Sequence, residues 1–353
     1  MKKLQKRIAR LIGAVFLLLI IVSTGSSAAD AEKLDVVATT SDLASIARWV
    51  GGEHVKVQEV CDGTHDPHFL QAKPGYIMMA RDADLWIRVG MELEIGWEPV
   101  ILDSARNPSI RESARGHLDS AENILRLDVP KRRITRAMGD VHAMGNPHHW
   151  LDPLNGRIIA GDISDRLSTL APEKSEEFEK KLSAFREKLD KKMFGEELVA
   201  EVGGSRLWAL ELKGRLGDYL KENGLTGKLG GWAGRMRPVA GTKIVTHHEL
   251  WTYFAHRFDL DVVETLEPKP GIPPSSSHLV DVMKTVKAQD VPLILVSSLY
   301  TRKAADLVAS RTGATVVICA SSVGGQQGVD DYFALFDNAV SRVAKAFEGG
   351  QLT

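Results

Sequence analysis

The sequence predicts an α/β protein of two lobes, each a mostly parallel sheet flanked by helices, joined by one long rigid helix. Three observations carry this. From Leu34 onward short apolar runs alternate with amphipathic stretches, the pattern of βαβ units and so of parallel sheets. The alternation breaks once, over residues 152–195, where a strongly charged helical stretch intervenes. The roughly 320 residues that follow the N-terminal apolar run exceed the usual size of one domain, which argues for two lobes.

In the first half LDVVAT, residues 34–39, reads as a strand. SDLASIARWV is a helix with Ser41 as N-cap and Leu43, Ile46, Ala47 and Val50 on one face. VKVQEV (55–60) is the second strand, CDGTHDPHFLQAKP a loop, and a helix follows Pro74. DLWIRVG (84–90) is the third strand, IGWEPVILDSA (95–105) a helix, and NILRLDV (123–129) a fourth strand leading into a long loop with His142, His148 and His149. Next, 152–170 is helical, APEK turns the chain, and 175–193 is a long charged helix. On it Phe178, Leu182, Phe185 and Leu189 form a narrow apolar stripe; so polar a helix lies across a surface, as a strut between lobes. The second half reads as the strand TKIVT, the helix HHELWTYFAHRF, the strand LDVVETL and the proline-rich turn EPKPGIPPSS. The helix HLVDVMKTVKAQ, the strand PLILVSS, the helix RKAADLVASRTG, the strand ATVVICA and a last helix through Phe347 complete it, with Gly and Pro at the breaks.

The N-terminus, basic MKKLQKRIAR followed by LIGAVFLLLIIV and small residues, has the form of a secretory signal peptide cleaved after Ala31; its apolar run is too short for a permanent span. No cysteine follows that run to take a lipid, so the expected product is a soluble periplasmic protein. Cleavage removes five of the 45 basic and one of the 46 acidic residues, leaving a net charge of about −5 and no basic footprint for nucleic acid. Cys61 and Cys319 are the two cysteines; in an exported chain they pair, or they stand as buried free thiols.

The chemistry concentrates in GNPHHWLDP, residues 145–153. Proline stiffens both sides of the pair His148 and His149, neutral imidazole is the commonest metal ligand, and Asp152 is a candidate to orient one ring. Among the eleven histidines, His65, His68, His142, His148, His149, His247 and His248 fall in three short stretches. Each follows the carboxyl end of an expected strand, where open α/β sheets bind ligands. His68 is preferred to His65 because Asp66 and Pro67 stiffen it and repeat the Pro-His step of Pro147 and His148. His248 is preferred to His247 as the first residue of an amphipathic helix aimed along the strand axis. His256 is an ordinary surface or core histidine, and His54, His117 and His278 carry no signal.

Four stretches, DPHFLQAKP, NPHHWLDP, HELWTYF and EPKPGIPP, resemble the periplasmic solute-binding proteins of zinc and manganese ABC importers, over nearly all of the mature chain. The resemblance implies two α/β lobes, little hinge motion, and a metal bound by His68, His148 and His248. It implies as partners an ABC permease and its ATPase. The expected division is a signal peptide at 1–31, a metal-binding lobe at 32–153, linker helices at 154–195 and a second metal-binding lobe at 196–353, in a monomer. Two departures stand out. The family commonly adds an aspartate after the last strand, where this chain has Ser321, so the fourth position falls to water, Asp140, Glu249 or His142. The Gly-broken segment 196–238 is longer than the usual connection.

Three neutral imidazoles favour Zn2+, since Mn2+ prefers carboxylate oxygens. A three-histidine zinc enzyme would need a base beside an open position; no H-E-x-x-H motif occurs and the only acid next to a ligand is Glu249. The expected role is therefore capture of Zn2+ in an interlobe cleft. The loop 138–146, with Asp140 and His142, is expected to act as a lid or first contact.

Overall fold

The computed structural model describes residues 33–131, 141–269 and 271–348; the expected signal peptide and Asp140 lie outside them. In the first lobe β1 (Leu34–Thr40), β2 (Val55–Cys61), β3 (Leu85–Arg88) and β4 (His117–Asp119) form a parallel sheet in the order β2-β1-β3-β4. In the second, β5 (Lys243–Thr246), β6 (Asp261–Thr265), β7 (Leu293–Ser297) and β8 (Thr315–Cys319) take the order β6-β5-β7-β8. The two halves thus repeat one topology without a repeated sequence. Each strand order reverses between its first and third strands, where such sheets leave a ligand crevice.

Helices α1 (Ser41–Gly51), α2 (Pro74–Asp82) and α3 (Glu98–Ala105) belong to the first lobe. The connection is α4 (Pro153–Leu170) and α5 (Ser175–Phe194), and the segment after it folds as α6 (Glu196–Val202), α7 (Gly204–Leu212), α8 (Leu216–Glu222) and α9 (Gly231–Met236). The second lobe adds α10 (Thr252–Arg257), α11 (Ser276–Ala288), α12 (Lys303–Thr312) and α13 (Tyr332–Phe347). The stripe Phe178, Leu182, Phe185 and Leu189 on α5 is buried. One apolar cluster runs from Val36 on β1 through Phe178 and Phe185 to Ile244 on β5 and Phe336 on α13. The two halves therefore share an interior instead of meeting at a wet hinge. Polar bonds reinforce the join: Ser41 Oγ donates to Val323 O (2.7 Å) and Val323 N donates to Asp42 Oδ1 (2.9 Å).

Three expectations change. The fourth strand is HLD, not NILRLDV. Gly116 lets the chain run tightly beside β3, where a Cβ would stand 2.2 Å from Asp84 O. The backbone of NILRLDV bonds elsewhere: Leu127 N donates to Tyr253 Oη, which donates to Leu125 O, and Leu127 O accepts from Asn146 N. Ser41 is not the cap of α1; the cap position is Thr40, with no side-chain bond. Asp152 orients neither histidine. It caps α4 by accepting from Leu154 N (2.9 Å) and forms a buried ion pair with Arg257.

Cys61 and Cys319 are both free and buried, and burial pushes each thiol up to about 12. His54 Nε2 hydrogen-bonds the carboxylate of Glu177, partly exposed at the start of α5. No helix among the described residues is long and apolar enough to cross a membrane.

His117 is buried without a partner for Nε2, and desolvation lowers it from 6.5 to about 4. Its neutral form is the one the fold accepts, so its contribution is complete above pH 6.5 and is lost as pH falls toward 4 and the folded ring is forced to take up a proton. Urea unfolding of wild type is expected to show this decline between those pH values, and His117→Gln to flatten it. Equal pH slopes in the two proteins would contradict the assignment.

Candidate metal centre

The D-P-H and N-P-H stretches are one device used twice. Asp66 Oδ1 accepts from His68 N (3.0 Å) and from His68 Nδ1 (2.8 Å). Asn146 Oδ1 accepts from His148 N (3.0 Å) and from His148 Nδ1 (2.9 Å). The Asn146 amide cannot be reversed, because its nitrogen donates to the carbonyl of Glu249 (2.7 Å). In each case a short side chain before proline fixes both the backbone turn and the imidazole, and it leaves Nε2 bare. His248 reaches the same state by a longer route. It sits in extended backbone just after β5, ahead of a short 3-10 turn and α10 and not inside the helix. Its Nδ1 donates to Glu267 Oε2 (2.8 Å), which also accepts from Gly271 N (3.0 Å).

The three rings converge. Centroids lie 5.2 Å apart for His68 and His148, 5.5 Å for His148 and His248, and 6.1 Å for His68 and His248. His142 joins them, its ring 5.2 Å from that of His68 and its Nε2 3.2 Å from His68 Nε2. Imidazoles bound tetrahedrally to one ion at Zn–N distances of about 2.0–2.1 Å would have ring centres about 5 Å apart. The donor set and its spacing thus fit a single small cation.

The other candidates separate from this group. His149 turns into the first lobe, donating from Nε2 to Val89 O (3.0 Å). His65 is exposed and bonded to Asp62 (2.9 Å). His247 is buried and stacks on Tyr300 with centroids 4.5 Å apart. His256 is exposed. Ser321 spends its hydroxyl on Ser297 Oγ (2.7 Å), and its carbonyl accepts from Trp150 Nε1 (2.9 Å).

Burial dominates the electrostatics. Desolvation, then the neighbouring imidazoles, holds His148 well below 6.5 and His142 at about 4, so both nitrogens are unprotonated at neutral pH. Burial would raise Asp66, but the hydrogen bonds and charge of His68 more than offset it and hold the carboxyl below its usual range. With Glu267 it sets carboxylates behind the rings of His68 and His248, an arrangement that raises a ring's basicity toward a cation. Beside His142, His148 and His248 lies a cavity of about 30 Å³, flanked by Asp128 and Glu249. That is the room of one water or ion. A groove of about 700 Å³, lined by Arg88, Glu112, His117 and Arg166 among others, contains none of these histidines.

Asn146 and Glu267 were not singled out from the sequence, although both lie in stretches that were. The repeated Asx-Pro-His step is the signal that would have found Asn146. Nothing local marks Glu267, which reaches His248 only through the fold.

The family described as zinc-uptake complex component A, periplasmic, matches residues 36–193 and 232–346. The chain belongs to this family. Among curated relatives, the chain is 27% identical over 181 residues to the manganese ABC transporter substrate-binding lipoprotein PsaA of Streptococcus mitis, covering 50% of this chain and 55% of that one. It is 27% identical over 192 residues to the iron ABC transporter substrate-binding lipoprotein MtsA of Streptococcus pyogenes serotype M1, covering 53% and 58%. The chain thus spans just over half the length of these relatives. Two solved structures share the fold: ZnuA, at TM-score 0.64 and 20% identity, and the manganese-bound S38A mutant of a periplasmic metal binding protein from Candidatus Liberibacter asiaticus, at 0.65 and 17%. Each alignment covers 89% of this chain and 99% of the other. The zinc-uptake component A match omits residues 194–231, which contain α6, α7 and α8.

Proposed function

We propose that the chain binds one Zn2+ ion between His68, His148 and His248, with His142 as fourth donor, and delivers it in the periplasm to the permease of an ABC importer powered by its ATPase. The observation that carries this is the convergence of imidazoles whose Nδ1 atoms are already engaged by Asp66, Asn146 and Glu267, leaving a nitrogen-only donor set. In this reading residues 32–153 and 196–353 are the metal-binding lobes, 154–195 joins them, and the protein works as a monomer. The small cavity supports carriage over catalysis, because a hydrolytic zinc site needs space for substrate beside the ion.

A manganese carrier is the second reading, favoured by the likeness to a relative named for manganese. The donor types speak for zinc, since borderline-soft nitrogen suits it better. The test is metal content by mass spectrometry after stripping the mature protein and reloading it from an equimolar zinc and manganese mixture. One zinc per chain is expected. His68→Ala and His248→Ala should lose it, and His142→Ala should keep it at roughly tenfold lower affinity. Manganese in the wild type would overturn the choice of ion. A His142→Ala variant with unchanged affinity and loading rate would remove that residue from the site.

A further inference from the structure

The segment that the family match omits is a closed excursion. Its ends meet: Gly230 N donates to Phe194 O (2.9 Å), and a Cβ on Gly195 (φ +90°) would stand 2.9 Å from Gly230 Cα. Its base is fastened to α5. Trp208 Nε1 donates to Asp190 Oδ1 (2.7 Å), and Arg157 bonds both Asp190 Oδ1 (3.1 Å) and Ser205 Oγ (3.1 Å). Gly204 approaches so closely that a Cβ would fall 1.9 Å from Asp190 Oδ2.

From this base α7 presents two side chains to Arg257. The Arg257 guanidinium carbon lies 5.6 Å from the centre of the Trp208 ring, and Nη1 lies 3.7 Å from Glu211 Oε1. The remaining edge of Arg257 makes a two-pronged bond to Asp152, Nε to Oδ1 and Nη2 to Oδ2, both 2.8 Å and both buried. Asp152 follows His148 and caps α4; Arg257 closes α10, the helix into which His248 leads. The ion pair is therefore a strap between a ligand-bearing stretch of the first lobe and one of the second. The excursion seats an aromatic face and a carboxylate on the guanidinium at its far end. A planar fork held on several sides keeps one orientation.

We propose that the excursion is a clamp: through Trp208 and Glu211 it holds Arg257 on Asp152, fixes the spacing of His148 and His248, and so slows release of the metal. This rests on the three-histidine reading of the site. Trp208 and Glu211 are positioning residues, acting on the ion only through the strap.

The test uses the full mature protein loaded with zinc, its release followed into excess chromophoric chelator, beside the visible spectrum of the cobalt-loaded form. Trp208→Ala with Glu211→Gln is expected to speed release roughly tenfold or more and to shift the cobalt bands. Trp208→Phe, which keeps a ring over the guanidinium, should restore most of the slow release. Leu198→Ala removes buried apolar surface elsewhere in the excursion and should leave release and spectrum unchanged. Wild-type release in the double variant would overturn the clamp, as would an equal effect of Leu198→Ala. Retention of metal by His148→Ala and His248→Ala would instead overturn the site reading, a result these clamp variants cannot produce.

Discussion

His148→Ala is expected to weaken metal binding by more than about 100-fold, because loss of an outer partner alone costs about 10–100-fold and this change would remove a donor of the proposed site. His149→Ala should leave affinity within a few-fold and instead lower stability, since its ring is buried against Val89 O and Tyr253. Competition titration with a chromophoric chelator measures both. The contrast is sharp because the two residues are adjacent and chemically identical. Their difference lies in backbone direction: Asn146 takes the amide and Nδ1 of His148, while the 3-10 turn that starts at His149 carries the next ring into the core. The reverse order of effects would place the ion on the other ring.

Asp152→Ala is expected to destabilise the protein by about 3–5 kcal/mol, the cost of leaving one member of a buried pair uncompensated. Arg257 has a second carboxylate in Glu211, at 3.7 Å, but it is longer and less buried than Asp152. Loss of the α4 cap adds about 1 kcal/mol. Denaturant unfolding checks this, and the double change Asp152→Ala with Arg257→Met should recover part of the loss, since removing both charges removes the unpaired one. A double variant no more stable than Asp152→Ala alone would mean that Arg257 does separate work.

The fold was legible because parallel strands buried on both faces read as short apolar runs, and Gly and Pro mark their ends. The exception, NILRLDV, shows the limit of that reading. Its apolar spacing is that of a strand, yet Leu125 and Val129 are exposed and its backbone is held by Tyr253 and Asn146. A short β4 of three residues gives no pattern to read. In the metal centre, the candidates legible from sequence were those that backbone stiffness marks out, His68 and His148 beside their prolines. The partner of His248 is Glu267, brought there by pairing of β5 with β6, and sequence distance hides such a contact. Asp152 was misassigned because a carboxylate beside a histidine pair suggests local orientation, whereas Arg257 claims it from far along the chain.

The apolar interior that runs unbroken from Val36 through Phe185 to Phe336 has a consequence for how a membrane partner would recognise a carrier of this kind. Opening the halves would expose that interior to water, so filled and empty forms would present nearly the same outline. On the proposed reading, what would distinguish them is the double positive charge of the ion beside the small cavity lined by Asp128 and Glu249. Recognition of cargo would then depend on local potential at the cleft, and so on ionic strength, more than on any change of shape.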